Sequence, residues 1–158
     1  MKVSDLIPKK AIVPDLKAKD KRGVVAELVK AVKGLQGASA KLSVADVTNA
    51  ILERERLGST GIGRGVAVPH AKSRQLGKVV GALGRSKSPI PFDAIDGEPV
   101  DLFFLILSPE NASDEYHQAL QSVMQVLKKG SILSFLRNAK GTRDIEEILR
   151  DAEEPIKV

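Results

Sequence analysis

The chain of 158 residues contains no cysteine and no tryptophan, and it has only one tyrosine, four phenylalanines and two histidines. The absence of cysteine excludes a disulfide framework and a cysteine-ligated metal site, and it is compatible with a reducing compartment. The two histidines lie far apart in the sequence, which excludes the H-x-x-x-H spacing of a zinc site. We therefore expect a protein that needs neither a metal nor a cofactor.

Long hydrophobic runs are also lacking. The longest strongly apolar run, Leu102 to Leu107, is far too short to cross a bilayer. The N-terminal residues contain no uninterrupted apolar stretch of the kind that a secretory signal needs. We expect a cytoplasmic protein without direct membrane insertion, and the length suits a single domain over residues 1–158.

Charge is distributed unevenly along the chain. Residues 1–80 carry 16 Lys and Arg against 7 Asp and Glu, a net charge of +9, and residues 81–158 carry 9 against 13, a net charge of −4. A basic half could bind nucleic acid, an acidic protein or a phosphorylated partner. The scarcity of aromatic residues argues against nucleic acid, because single-strand binders usually stack bases on aromatic side chains. We expect no nucleic-acid partner.

Hydrophobic periodicity predicts helices near both ends of the chain and strands between them. The predicted helices span residues 20–33, 44–56, 114–129, 132–138 and 143–151, with Asp20, Ser43, Ser113 and Thr142 at or near their starts. The predicted strands are Val66–Val68, Val79–Gly84 and Val100–Leu107, with residues 10–13 as a short or edge strand and residues 88–99 as a loop. This order predicts an α/β fold, a single three-layer α/β/α domain with a mixed central sheet flanked by helices.

Four glycines, at positions 58, 61, 63 and 65, form a loop ahead of the strand that begins at Val66. The loop does not match a P-loop, because no lysine follows the glycines. It does not match a dinucleotide-binding turn either, because a helix precedes it and a strand follows it. The glycines indicate a tight connection in which the backbone can approach another group closely.

His70 follows this loop and is the best candidate for a reactive side chain. Pro69 has no amide hydrogen, which places His70 at the edge or the end of a strand. Basic residues lie nearby in sequence, at Arg54, Arg56, Arg64, Lys72 and Arg74, and they could form a field suited to phosphate or simply a solvated surface. His117 lies in the first turn of its helix, where an incoming phosphate and an ordinary surface position are about equally plausible.

The segment around His70 closely resembles the enzyme IIA domain, type 2 (fructose–mannitol type), of the bacterial phosphoenolpyruvate-dependent phosphotransferase system (PTS). The family pattern maps without a mismatch onto Glu55, Ile62–Gly63 and the run VAVPHA from Val66 to Ala71. The resemblance covers essentially the whole chain and implies a single PTS EIIA type-2 domain over residues 1–158.

The resemblance implies a phosphohistidine relay. The histidine phosphocarrier protein (HPr) or its nitrogen-branch counterpart would donate a phosphoryl group to His70. Arg54 would steady the phosphoryl oxygens, and His117 would match the second histidine of the family, which lies close to the first and assists transfer. Ser59 or Thr60 would donate a further hydrogen bond to the phosphate.

Two biological roles follow from this resemblance. A free-standing enzyme IIA with GSTGIG before its histidine looks most like the nitrogen-regulatory type, whose downstream partners are regulated proteins, including potassium transport or sensor-kinase partners in some bacteria. The alternative is a sugar-specific enzyme IIA that passes the phosphoryl group to a separate enzyme IIB. The basic Arg64 departs from the neutral polar residue common at its position. A binding module switched by phosphorylation is a further hypothesis.

Overall fold

The computed structural model describes residues 1–35 and 41–153, and in these ranges the chain forms six α-helices, a short 3-10 helix over Lys9–Ala11 and six strands. The helices are α1 (Val3–Leu6), α2 (Lys21–Lys33), α3 (Val44–Arg56), α4 (Ser113–Leu127), α5 (Ile132–Asn138) and α6 (Thr142–Glu153). The strands are β1 (Ile12–Val13), β2 (Gly61–Gly63), β3 (Val66–Ala67), β4 (His70–Lys72), β5 (Val80–Ile90) and β6 (Val100–Ser108).

The six strands form one mixed sheet in the order β1-β5-β6-β3-β2, with β4 also paired to β6. Strand β6 is antiparallel to β5 on one side and parallel to β3 and β4 on the other. Because β6 lies inside the sheet and both of its faces are covered, its sequence is almost continuously apolar, as expected for a strand with no exposed face.

Helices cover both faces of the sheet and enclose two hydrophobic cores. Alternate residues of β6 enter opposite cores, because successive strand side chains point to opposite faces. Phe103 and Leu105 pack with α2 and α3, whereas Phe104 and Ile106 pack with α1, α4, α5 and α6. The predicted three-layer α/β/α arrangement with a mixed sheet is therefore confirmed.

The predicted helices agree closely with the structure. The Asp20 carboxylate accepts a hydrogen bond from the Gly23 amide at the start of α2, and the Ser43 hydroxyl accepts one from the Asp46 amide at the start of α3. Ser113 was expected to cap α4, but it is the first residue of that helix, and its hydroxyl accepts from the Lys72 ammonium instead. The capping prediction for Ser113 was therefore wrong.

The strands differ more from the prediction. Strand β5 extends to Ile90, which pairs with Val100 after an irregularity in the register, although residues 88–90 were predicted as loop. Two strands of three residues, β2 and β4, were not predicted. Both are too short to show alternation of polar and apolar residues, and their pairing is set by the neighbouring strands β3 and β6.

Gly61 packs so tightly that a side chain there should destabilise the protein. A Cβ atom on Gly61 would lie 2.7 Å from Cβ and 2.9 Å from Cα of Ala94. We expect Gly61→Ala to lower the free energy of unfolding by about 1–3 kcal/mol, as overpacking usually does. Gly130→Ala is the matched control, because a Cβ there meets no atom within 4 Å. Urea unfolding of both variants measures the difference, and equal stabilities would contradict the close contact.

Candidate functional site

His70 is positioned by an interruption in the strand that runs beside β6. Ala67 pairs with Phe103 and His70 pairs with Ile106, so β3 and β4 keep one register along β6. Val68 and Pro69 lie between them, and Pro69 has no amide hydrogen to donate. The Ile106 amide donates to the Pro69 carbonyl at 3.0 Å, which fixes the backbone just before His70. The histidine therefore begins the short strand β4, whereas the sequence predicted that it would lie at the edge or the end of a strand.

The imidazole of His70 is held by a backbone carbonyl from the interruption between β3 and β4. Its Nδ1 lies 2.7 Å from the carbonyl oxygen of Val68. A carbonyl oxygen can only accept, so Nδ1 is the nitrogen that carries the proton and donates it. The Nε2 atom then keeps the free lone pair. The structure thereby distinguishes the two ring nitrogens, which the sequence alone did not do.

The surroundings of His70 favour the neutral imidazole. Burial lowers the pKa of His70 below its ordinary value of 6.5, and the bond to Val68 acts in the opposite direction. The positive charge of Arg54 lowers the pKa further, whereas the negative charge of Glu55 raises it. Because the net direction is downward, the surroundings favour the neutral form of the His70 imidazole near pH 7.

Arg54, which was predicted to bind the phosphoryl group, lies in the last turn of α3, and its charge acts on His70. Its Nη1 donates to the Gly58 carbonyl at 2.9 Å, so the guanidinium is fixed against the start of the glycine-rich loop. Its charge is close enough to lower the pKa of both His70 and Tyr116. A guanidinium held in this way can bind phosphoryl oxygens beside the imidazole.

Glu55, adjacent to Arg54 in α3, is a buried carboxylate that anchors the glycine-rich loop. Its Oε1 accepts hydrogen bonds from the amide of Thr60, at 3.0 Å, and from the Thr60 hydroxyl. Its Oε2 lies 2.9 Å from the Lys21 ammonium, an ion pair without the alignment of a hydrogen bond. Lys21 also lies 4.3 Å from the centroid of the Phe92 ring. The carboxylate thus joins α2, α3 and the loop.

Ser59 and Thr60, predicted to bind phosphate, hold the loop instead. The Ser59 hydroxyl donates to the Phe92 carbonyl at 2.7 Å and accepts from the Gly61 amide at 3.0 Å. The Thr60 hydroxyl donates to Glu55. Each hydroxyl has one hydrogen to donate, so neither has a hydrogen left for a phosphoryl group in this arrangement.

The aromatic side chain against His70 is Tyr116 of α4. The centroids of the two rings are 5.8 Å apart. His117, which was predicted to assist His70, is exposed, and its ring lies 6.1 Å from that of Tyr116. Adjacent residues of a helix point about a quarter-turn or more apart, which is why one of them is buried against β4 and the other faces solvent.

The other basic residues near His70 in sequence have separate partners. Arg56 pairs with Glu53 and Arg74 pairs with Glu110, and the Arg64 guanidinium donates to the Leu127 carbonyl at the end of α4. Within residues 1–35 and 41–153, no group of three or more metal-ligating side chains lies together. In the same ranges, no helix combines the length and the apolar character needed to span a bilayer.

The chain belongs to the family described as "Phosphoenolpyruvate-dependent sugar phosphotransferase system, EIIA 2", which it matches over residues 5–152. Proteins of this family are components of the phosphotransferase system. The chain is 36% identical to a nitrogen regulatory protein of Bradyrhizobium diazoefficiens over 149 residues, which cover 94% of this chain and 95% of that protein.

Two further relatives come from the nitrogen-regulatory and the sugar-specific branches of this family. The crystal structure of the nitrogen regulatory protein IIA-Ntr from Neisseria meningitidis superposes with a TM-score of 0.83 and 33% identity, covering 93% of this chain and 98% of that one. A fructose-specific EIIABC component of Bacillus subtilis is 32% identical over 149 residues, which make up 94% of this chain and 23% of that protein.

Sequence reasoning missed the roles of Tyr116 and Lys21 in this region, and it named Lys72 only as one of several basic residues near His70. Tyr116 lies on the apolar face of α4, and nothing in the pattern of that face indicated that it reaches His70. The position of Lys72 on the same face as His70 could have been predicted, because residues two apart in a strand share a face. The ion pair between Lys21 and Glu55 joins residues far apart in the chain and had no local signal.

The anchoring role of Glu55 can be tested against its exposed neighbour Glu53. We expect Glu55→Gln to lower the free energy of unfolding by about 1–3 kcal/mol, because the partly buried Lys21 loses its charge partner and Thr60 keeps only a neutral acceptor. The pKa of His70 should fall, since Glu55 raises it. Urea unfolding and NMR titration measure both effects.

Glu53→Gln is the matched control, because the Glu53 side chain is 69% exposed and pairs with Arg56 in the same helix. We expect it to change stability by less than about 0.5 kcal/mol. Equal effects of the two substitutions would show that the buried carboxylate does not anchor the loop.

Proposed function

We propose that this protein is a phosphohistidine carrier of the phosphotransferase system, in which Nε2 of His70 accepts a phosphoryl group from HPr or its nitrogen-branch paralogue. The observation that carries the proposal is the hydrogen bond from Nδ1 to the Val68 carbonyl, which leaves Nε2 as the nucleophile. The family supports the same reaction class. The protein would act in the cytoplasm as a single domain.

The transfer is a displacement at phosphorus. The Nε2 lone pair of His70 forms the new phosphorus–nitrogen bond while the corresponding bond in the carrier's phosphohistidine breaks and its electron pair returns to the carrier. Positive charge then develops on the His70 ring, and the Val68 carbonyl stabilises it through the proton on Nδ1. Arg54 stabilises the negative charge on the phosphoryl oxygens, which is the main form of catalysis in such a step.

A regulatory role is better supported than sugar transport. The Bradyrhizobium nitrogen regulatory protein is 36% identical to this chain and the Neisseria IIA-Ntr structure superposes with a TM-score of 0.83, whereas the fructose-specific relative is 32% identical. We therefore propose that the phosphorylation state of His70 controls binding to a regulated protein partner. The alternative is a sugar-specific component that passes the phosphoryl group to a separate enzyme IIB.

The relay is tested by supplying phosphoenolpyruvate, enzyme I and each carrier, and then measuring the intact mass of the protein. We expect the wild type to gain the mass of one phosphoryl group in an acid-labile linkage, because phosphoramidates hydrolyse in acid. His70→Ala should gain none. A wild type that stays unlabelled with every carrier would contradict the relay and indicate a binding module that keeps the fold without the chemistry.

Arg54 has a matched control two residues along the same helix. We expect Arg54→Gln to slow phosphoryl transfer by about a hundredfold, in line with the loss of other donors to developing negative charge. It should also raise the pKa of His70, because the positive charge of Arg54 lowers it. Single-turnover transfer rates and NMR titration measure the two effects.

Arg56→Gln removes an exposed arginine that is paired with Glu53. We expect its transfer rate to stay within about twofold of the wild type, since exposed ion pairs contribute little. Equal losses in the two variants would mean that general surface charge, and not the placement of Arg54 beside His70, supports transfer.

A further inference from the structure

Tyr116 lies against His70 but has no role in the proposed transfer. The two ring planes meet at 59° with their centroids 5.8 Å apart, which is a packed, tilted aromatic contact. Tyr116 is only 7% exposed and belongs to the core beneath α4. Its ring therefore covers one side of a half-buried imidazole.

Charged side chains of two other elements lie close to the same ring. The Lys72 ammonium is 5.3 Å from the centroid of the Tyr116 ring, within the range of a cation–π contact, and it donates to the Ser113 hydroxyl at 2.9 Å. From α3, the charge of Arg54 acts on both Tyr116 and His70. The uncharged Tyr116 ring thus packs beside His70, and the positive charges of Lys72 and Arg54 act on it.

We infer that Tyr116 is a positioning residue for His70, whose buried ring fixes the imidazole and keeps water from the phosphorus–nitrogen bond after transfer. This inference rests on the proposed function, because it concerns the lifetime of the phosphohistidine. Hydrolysis requires a water oxygen to bond to phosphorus while the bond to Nε2 breaks. The electron pair of that bond stays on Nε2, and inorganic phosphate leaves. A ring packed on the imidazole restricts the approach of this water.

The electrostatic state of the tyrosine suits this role. Burial raises the pKa of Tyr116 to about 12, although the charge of Arg54 acts in the opposite direction. The phenol therefore keeps its proton at neutral pH and adds no negative charge that would repel an incoming phosphoryl group. The part of Tyr116 that acts on His70 is accordingly the ring, which phenylalanine would also provide.

The test compares Tyr116→Ala and Tyr116→Phe with the wild type. Each protein is phosphorylated chemically with phosphoramidate, whose phosphorus–nitrogen bond breaks to release ammonia as the bond to Nε2 forms. We expect Tyr116→Ala to lose its phosphoryl group about tenfold faster, which corresponds to roughly 1.4 kcal/mol in the hydrolysis barrier. Intact mass followed over time measures the rate, and Tyr116→Phe should match the wild type.

The pKa of His70 in the unphosphorylated proteins provides a second readout. We expect Tyr116→Ala to raise it toward 6.5, because burial is the main cause that lowers it. Tyr116→Phe should leave it unchanged. The NMR signals of the two histidines are distinguished with His117→Gln. If Tyr116→Ala fails to fold, Tyr116→Gln keeps much of the side-chain volume while admitting water, and the same results are expected for it.

Val123→Ala is the control for a purely structural effect, because Val123 is fully buried two turns further along α4 in the same core. It should reduce stability without changing the phosphohistidine lifetime or the pKa of His70. The inference is overturned if removing the ring changes neither quantity, or if Tyr116→Phe behaves like Tyr116→Ala. Failure of every carrier to phosphorylate the wild type would contradict the proposed function alone, since neither readout uses a carrier.

Discussion

The hydrogen bond between the His70 imidazole and the Val68 carbonyl is the interaction on which the proposed chemistry depends. It exists because the strand beside β6 is interrupted at Val68 and Pro69 while its register continues. In an uninterrupted strand that carbonyl would be expected to serve the sheet ladder. Pro69, which cannot donate a hydrogen bond, helps to create the interruption. One backbone feature therefore selects the proton-bearing nitrogen and leaves the other nitrogen with its free lone pair.

The buried carboxylate of Glu55 anchors the loop segment to which the backbone of Val68 is hydrogen-bonded. It binds the Thr60 amide and hydroxyl, and the Thr60 carbonyl in turn accepts from the Val68 amide at 2.9 Å. A continuous chain of contacts therefore leads from the Lys21 ammonium through Glu55 and Thr60 to the residue that holds His70. Arg54, next to Glu55 in α3, is fixed to the same loop at Gly58. The nucleophile and its cation are thus positioned by one small network.

The sequence predicted the layered fold because long amphipathic helices and one fully apolar strand carry strong periodic signals. It predicted His70 as the phosphoryl acceptor because the segment from Glu55 to Ala71 matches a family pattern residue by residue. The family resemblance named His117 as the side chain of α4 close to His70, and it did not indicate the contact with Tyr116, because that contact depends on the rotation of this helix against β4. That rotation is set by packing of the whole core, and a shift of one residue exchanges a buried side chain for an exposed one.

Burial of His70 has separate effects on the pKa of the imidazole, on the proposed phosphohistidine and on the stability of the folded protein. It lowers the pKa of the imidazole, which favours the neutral form that the proposed transfer requires. In the proposed phosphohistidine, the same burial would limit the approach of water to the phosphorus–nitrogen bond. The folded protein, however, binds this proton less readily than the unfolded chain, so burial costs stability as pH falls below 6.5 and continues to do so down to the lowered pKa. The hydrogen bond to Val68 and the negative charge of Glu55 limit this downward shift of the His70 pKa, whereas the positive charge of Arg54 adds to it.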